Sequence, residues 1–200
     1  MRLRTAADRD LEMIAGWLAE PRVSKWLDFG TDRPLTALAL KYAISQCSMC
    51  LFTYAPADAE EDTPIGVVGL SSIHPTFRTA LLWYALGEPR FAGRGLTGRA
   101  AAEVVRIGFH ELELRAINAW VVAGNEPSVR ILETIGFRRI GRQRRCHLVE
   151  GRRRDRLLFD IVASEFVRRR GMSGLLALAH DASFCFAGVD ATMLGGIPLG

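Results

Sequence analysis

Leu96, Ala100, Val104 and Ile107 form one apolar stripe at helical spacing, with Ala101, Val105, Gly108 and Leu112 beside it, which predicts a helix over residues 96–112. The same period predicts shorter helices before it. Leu11, Ile14 and Leu18 share a face over residues 8–18, with Asp8 as N-cap; Pro21 opens a segment carrying Val23, Trp26 and Leu27; a third helix spans 35–46. Compact apolar runs at 1–5, 49–54, 65–73, 79–86 and 115–122 read as strands. A last pair, 137–149 and 152–162, reads as a hairpin turning at Glu150-Gly151. Between the final single strand and that hairpin, Ile131, Leu132 and Ile135 give a short helix its buried face, and Gly136 closes it as a left-handed cap. Strands interrupted by helices on each side of 115–122 predict an α/β (α+β) fold, a mixed sheet with helices on both faces.

Punctuation refines this picture. Residues 55–63 hold four acids and a proline and read as a solvent loop. His74 beside Pro75 reads as a solvated turn residue. Gly66 and Gly69 weaken the 65–73 strand unless something packs closely on it.

The most informative stretch is Arg90-Phe91-Ala92-Gly93-Arg94-Gly95-Leu96-Thr97-Gly98, a Gly-rich loop opening the long helix. Such a loop turns several backbone N–H groups toward one point, and the helix N-terminus adds about half a positive charge, so together they seat a phosphate or pyrophosphate. A Cβ at Gly93 or Gly95 would hold the anion off the backbone. Gly93 to Gly98 also satisfies G-x-G-x-x-G, the dinucleotide fingerprint. Two of its confirmations are missing: Gly87-Glu88-Pro89-Arg90 intervenes between strand and first glycine, and the strand over 115–122 runs into Ala123-Gly124-Asn125 instead of an acid.

A second pattern fits the same letters. Arg90-x-x-Gly93-x-Gly95, followed about thirty residues later by Asn125-x-x-Ser128-x-x-x-x-Glu133-x-x-Gly136-Phe137, resembles the GNAT superfamily of acyl-CoA-dependent N-acyltransferases. The likeness is strongest to the branch containing the ribosomal-protein N-terminal acetyltransferases. The resemblance covers residues 1–165 and implies a central mixed, mostly antiparallel sheet of about seven strands, leaving 166–200 as a C-terminal extension of unknown role.

It also implies a chemistry: transfer of an acetyl group from acetyl-CoA to a primary amine, on a peptide N-terminus or a small molecule, in a ternary complex. The pyrophosphate would rest on the backbone of Phe91, Ala92, Gly93, Gly95, Leu96 and Thr97, with Arg90 and Arg94 adding charge. The pantetheine arm would lie along the 81–86 strand edge, Leu86 supplying the oxyanion donor and Asn125 a polar contact. The tyrosine that many members use as the acid is replaced by Leu132, whereas Ser128 matches the serine of the resembled branch. The branch's basic glutamate aligns with His147, with Glu150 or water as the alternative. Trp26, Phe29, Tyr42 and Tyr84 are the candidate acceptor contacts, though aromatics at such positions are commonly core. Two other readings stay open: a non-catalytic acyl-CoA sensor or scaffold, and a transferase using a longer acyl group or a hydroxyl acceptor.

Composition and charge then bound the partners. The chain has 200 residues, 49% of them hydrophobic, enough for one substantial core. No signal-peptide core and no run of about 18 apolar residues is present, so a cytoplasmic protein without a membrane partner is expected. Nine arginines fall between Arg138 and Arg156, in a protein whose net charge is only +4. They read either as a groove for an acidic partner or as an exposed face shielding an edge strand; nucleic acid other than ribosomal RNA is not expected, because no aromatic set interleaves with them. Cys47, Cys50, Cys146 and Cys185 predict neither a disulfide scaffold nor, even with His147, a metal site. Residues 171–200 carry only Asp181 and Asp190 as full charges, with a helix expected over 175–182. Such an apolar tail docks on the domain, docks on a second subunit as in a homodimer, or stays disordered.

Overall fold

The computed structural model describes residues 1–30, 34–58 and 63–170; the helix expected over 175–182 lies outside the described residues. Seven strands form one sheet: β1 (Arg2–Thr5), β2 (Met49–Ala55), β3 (Gly66–His74), β4 (Thr79–Leu86), β5 (Ala116–Val122), β6 (Arg138–Val149) and β7 (Arg152–Val162). Their order is β1-β2-β3-β4-β5-β7-β6, and every neighbouring pair is antiparallel except β4 and β5. The mixed, mostly antiparallel sheet expected above is therefore present.

Helices cover both faces. On one side α1 (Leu11–Ala19), α2 (Pro21–Ser24) and α3 (Ala37–Ser45) close a cluster containing Ile14, Leu40, Leu51, Val67 and Trp83. On the other, α4 (Leu96–His110) and α5 (Glu126–Ile135) cover Val68, Leu70, Ile117 and Phe159. A last helix, α6 (Ala163–Arg170), was not anticipated; its Phe166 packs 5.3 Å from Phe109 and completes this second cluster. The two weak points of β3 are filled by aromatics, Tyr54 lying over Gly66 and Trp83 over Gly69, so closely that a Cβ at either would collide.

The entry to α1 corrects one expectation. Asp8 is exposed and pairs with Lys41, while residues 8–10 form a 3-10 turn and α1 begins at Leu11. The capping acid is Asp10, whose carboxylate accepts the Ala7 amide at 2.7 Å and both Arg4 nitrogens at 2.6 and 3.0 Å. The Arg4 guanidinium holds this nearly buried carboxyl below its ordinary 3.8. Stability from such a depressed group is present above that ordinary value and lost as pH falls through the folded one. Asp10→Asn should therefore cost about 2 kcal/mol at neutral pH, a gap that narrows below about pH 4, as urea melts at several pH values would read.

β6 is an edge strand, and its arginines are exposed, as edge protection requires. Two of them are paired, Arg138 with Glu165 and Arg142 with Asp155. Arg156 on β7 departs from this pattern and turns inward.

Candidate active site

The single parallel pair creates the site. β4 and β5 are in register only over Thr79–Ala116, Ala80–Ile117 and Leu81–Asn118; β4 continues to Leu86 and β5 to Val122 without pairing to each other. Beyond Leu81 the two strands splay, leaving strand-edge groups of β4 without a ladder partner. A cleft of about 1260 Å³ occupies the opening.

One mouth of this cleft is the start of α4. Pro89–Phe91 form a 3-10 turn, and Gly93 and Gly95 then take left-handed φ values of 77° and 68°. Gly95 is the N-cap and supplies no side-chain cap, and the amides of residues 93–98 donate to no protein acceptor among the described residues. Successive N–H groups left free at a helix start are the arrangement that receives an anion. Phe91, Ala92, Gly93, Gly95, Leu96 and Thr97 line the cleft as expected. Thr97 is held by a 2.7 Å bond between its Oγ1 and the Tyr54 hydroxyl, which burial pushes up to about 12.

Arg90 and Arg94 do not line the cleft. Their guanidinium carbons sit 5.1 and 5.0 Å from the Phe91 ring centroid, and Arg90 also reaches Glu88 at 3.7 Å. Among the described residues the cations that do line it are Arg99, one turn into α4, Arg130 on α5 and, at the end of β4, Arg22. A basic residue in the first turn after a Gly-rich loop was the signal in the sequence that would have found Arg99.

α5 closes the same side. Asn125 is its N-cap and accepts the Ser128 amide at 3.1 Å; both residues line the cleft. Tyr84 donates its hydroxyl to the Ser128 carbonyl at 3.1 Å, tying β4 to α5 across the splay. Burial raises that hydroxyl far above its ordinary value, so it stays protonated. Arg22 donates to the Leu86 carbonyl at 2.8 Å and to that of Gly87, anchoring the end of β4.

The opposite mouth lies between the α2–α3 segment and β5. Trp26, Asp28 and Phe29 line it together with Trp120. Tyr42 does not: it is 66% exposed, because on α3 Leu40, Ala43 and Ile44 face the sheet and Tyr42 points away.

His147 and Glu150 also differ from expectation. Neither lines the cleft. His147 Nε2 lies 2.9 Å from the Lys25 carbonyl, and its Nδ1 receives Arg156 Nε at 3.2 Å and Nη2 at 2.9 Å. Arg156 has only donors, so Nδ1 accepts, Nε2 carries the proton and donates, and no lone pair is free to take a proton from an amine. Glu150 is fully exposed at the hairpin turn and pairs with Lys25 at 2.9 Å, which lowers its carboxyl. From the turn to His147 the pairing is regular, Val149 with Arg152, Leu148 with Arg153 and His147 with Arg154, so counting back from Gly151 finds the position but not the Lys25 and Arg156 contacts that occupy its ring.

These two residues and Arg156 instead form a clamp. Arg156 stacks 4.1 Å over the Trp120 ring, donates to His147 and donates to Asp28. The arginine, with the Gly30 amide, holds the Asp28 carboxyl below its ordinary value. The segment 25–30 is thus fixed from β7 over this second mouth of the cleft. Asp28, Trp120 and Arg156 carried no motif, since cross-strand and loop contacts brought them together.

A mixed sheet that splays at its single parallel pair, with free amides at a helix start on one side and an aromatic mouth on the other, defines a transferase that binds an acyl-CoA. Residues 1–138 match the model of the acetyltransferase (GNAT) domain, and the chain belongs to that family. It is 25% identical over 170 residues to the uncharacterised N-acetyltransferase p20 of Bacillus licheniformis, covering 82% of this chain and 93% of that protein. The fold matches a spermidine N-acetyltransferase from Vibrio cholerae solved with CoA and spermine, at TM-score 0.72 and 20% identity over 83% of this chain and 97% of that one. It also matches a ribosomal-protein-S5-alanine acetyltransferase from Vibrio fischeri, at TM-score 0.68 and 22% identity over 82% and 93%. The chain is an acyl-CoA-dependent N-acetyltransferase, with acetyl-CoA as donor and an amine as acceptor. Among the described residues no helix is long and apolar enough to cross a membrane.

Proposed function

We propose that the acetyl group passes directly from acetyl-CoA to the primary amine of a peptide N-terminus or small molecule, with both held at once in the cleft between β4 and β5. The observation that carries this reading is that one continuous space joins the free amides at 93–98 to the aromatic mouth at Trp26 and Trp120. The diphosphate would sit on those amides with Arg99 and Arg130 nearby, and the pantetheine arm along the unpaired edge of β4. An N–H of that edge near Leu86 would meet the developing oxyanion.

The acceptor arrives as an ammonium, and Asp28 meets it first. Its depressed carboxyl makes it an anchor rather than a base, so the proton leaves to water before the nitrogen lone pair attacks the thioester carbon. As the carbon–sulfur bond breaks, the Ser128 hydroxyl gives its proton to the thiolate, and the second proton that the acylated nitrogen loses as the amide forms returns to Ser128 through water. His147 and Glu150 hold the segment that presents Asp28. We place the reaction in the cytoplasm.

Ser128→Ala should lower kcat about a hundredfold while calorimetry finds the acetyl-CoA affinity unchanged, the low end of what loss of a positioned acid costs. Full turnover in that variant removes Ser128 from the mechanism. His147→Gln, which keeps a donor toward Lys25 and an acceptor toward Arg156, should retain most activity; a loss of a hundredfold or more would restore histidine as the base. Thioester binding without thiol release on any acceptor would favour a sensor.

A further inference from the structure

The cleft does not end at the splay. Tyr84 and Leu86 pack with the α4 cluster and Trp83 and Ala85 with the α1–α3 cluster, yet all four line the same space, which therefore passes through the sheet. On the α1–α3 side it runs back along β4 from Ala85 to Leu81, roughly 13 Å of strand. Phe29, Leu35, Ala43, Met49, Leu81 and Trp83 wall this extension. Phe29 meets Trp83 edge to face at 5.1 Å. Its far end falls on one cross-strand row, Met49 beside Ser71 beside Leu81, with Ser48 and Ser72 adjoining.

We propose that this chamber seats the body of the acceptor, and that the acceptor is a monoamine with an elongated apolar or aromatic body ending in an uncharged hydrogen-bonding group. The proposal rests on the acetyl-transfer reading of the same cleft and names its substrate class. Charge carries the argument. Among the described lining residues the charged ones are Arg22, Arg99, Arg130 and Asp28, three cations and one anion. Asp28 is already bound by Arg156 and the Gly30 amide, which leaves it able to orient one ammonium. Beyond it, the wall from Phe29 to Leu81 holds no carboxylate among the described residues.

A polyamine with its first nitrogen at Asp28 would carry the next ammonium into that apolar wall, losing its hydration without gaining a counter-charge. Trp120 offers no compensation, because the Arg156 guanidinium already covers its ring. An aliphatic or aromatic body gains from the same wall, and the serines at its end satisfy a hydroxyl or amide. The chain's fold matches a spermidine acetyltransferase, but among the described residues this chamber offers no carboxylate beyond Asp28 for a polyamine's further ammonium groups.

The test is initial-rate acetylation by the full chain with acetyl-CoA and four acceptors: tyramine, tryptamine, spermidine and n-propylamine. Tyramine and tryptamine should exceed spermidine in kcat/KM by at least about tenfold. Ala43→Phe, which fills the chamber from α3, should raise KM for tyramine and tryptamine by about tenfold or more, with n-propylamine KM and calorimetric acetyl-CoA affinity unchanged. Ala43→Leu gives the graded version should the phenylalanine variant not fold. A preference for spermidine, indifference of both Ala43 variants, or no acetylation of either aromatic amine by a chain that binds acetyl-CoA would each overturn the proposal. So would faster acylation of n-propylamine from octanoyl-CoA than from acetyl-CoA, which would assign the chamber to the acyl chain. If no CoA thioester binds at all, the transfer reading itself fails, a result that calorimetry separates from the others.

Discussion

Gly95→Val should weaken acetyl-CoA binding by at least about thirtyfold, equivalent to ~2 kcal/mol, beside a separate loss of fold stability. Gly95 stands at the N-cap of α4 with φ 68° and nothing within 4 Å of the place its Cβ would occupy. That open side is where the diphosphate must approach the amides of residues 93–98. A valine there puts two methyl groups in the anion's path and strains a left-handed residue by about 1–2 kcal/mol. Gly95→Asn separates the two effects, since asparagine tolerates the left-handed region. It should recover most of the lost melting temperature but little of the affinity. Calorimetry with acetyl-CoA on all three proteins reads the result, and an unchanged affinity in the valine variant would mean that the diphosphate rests elsewhere.

Arg156→Ala should lower kcat/KM for the acceptor by about a hundredfold, ~2.7 kcal/mol, with acetyl-CoA affinity unaltered. The guanidinium makes three contacts at once: the face of Trp120, the Nδ1 of His147 and the carboxylate of Asp28. Only 15% of its side chain is exposed, so removing it leaves Asp28 without its cation and His147 without its donor in a partly desolvated place. The segment 25–30 then loses its fixed position over the acceptor mouth, and the loss should fall mainly on acceptor KM. Arg156→Lys restores one charge for Asp28 without the flat stacking surface or the second donor, so about a tenfold recovery is expected rather than full rescue. An equal fall in acetyl-CoA affinity would show that the residue supports the whole sheet instead of the acceptor side.

The elements of this fold were legible because each follows from a short-range rule. Apolar period located α4 and α5, alternation and apolar runs located the seven strands, and Gly136 marked the end of α5. Failures occurred where a local rule had two solutions. Asp8 and Asp10 both stand before an apolar stripe, and the choice fell to Asp10 because Arg4, on a neighbouring strand, reaches it. α6 was missed because its apolar positions are few, and its anchor is a contact distant in sequence, Phe166 against the Phe109 ring.

The candidate site divides in the same way. Gly93 and Gly95 at the start of α4 and Asn125 and Ser128 at the start of α5 each belong to a short run of chain, so spacing alone picked them out, and all four line the cleft. The acceptor side is assembled from α2, α3, β5 and β7, and its members have no spacing to read. Tyr42 sits one helical step from Ala43 and faces solvent, while Trp120 and Arg156 meet only because Val122 is the cross-strand neighbour of Arg156. His147 was placed by counting from the hairpin turn, and the pairing is regular that far, but Lys25 and Arg156 occupy both of its ring nitrogens, which no count along the strand could show.

By itself the sequence determined the strand and helix succession, the family and the Gly-rich start of α4 with its unpaired amides, because periodicity and backbone conformation act over a few consecutive residues. Tertiary structure alone decided which cations line the cleft, that both ring nitrogens of His147 are engaged by Lys25 and Arg156, and that Asp28 is held by Arg156. Those outcomes depend on strand register, on a splay beginning after Leu81 and on contacts between residues as far apart as Asp28 and Arg156, none of which local sequence encodes.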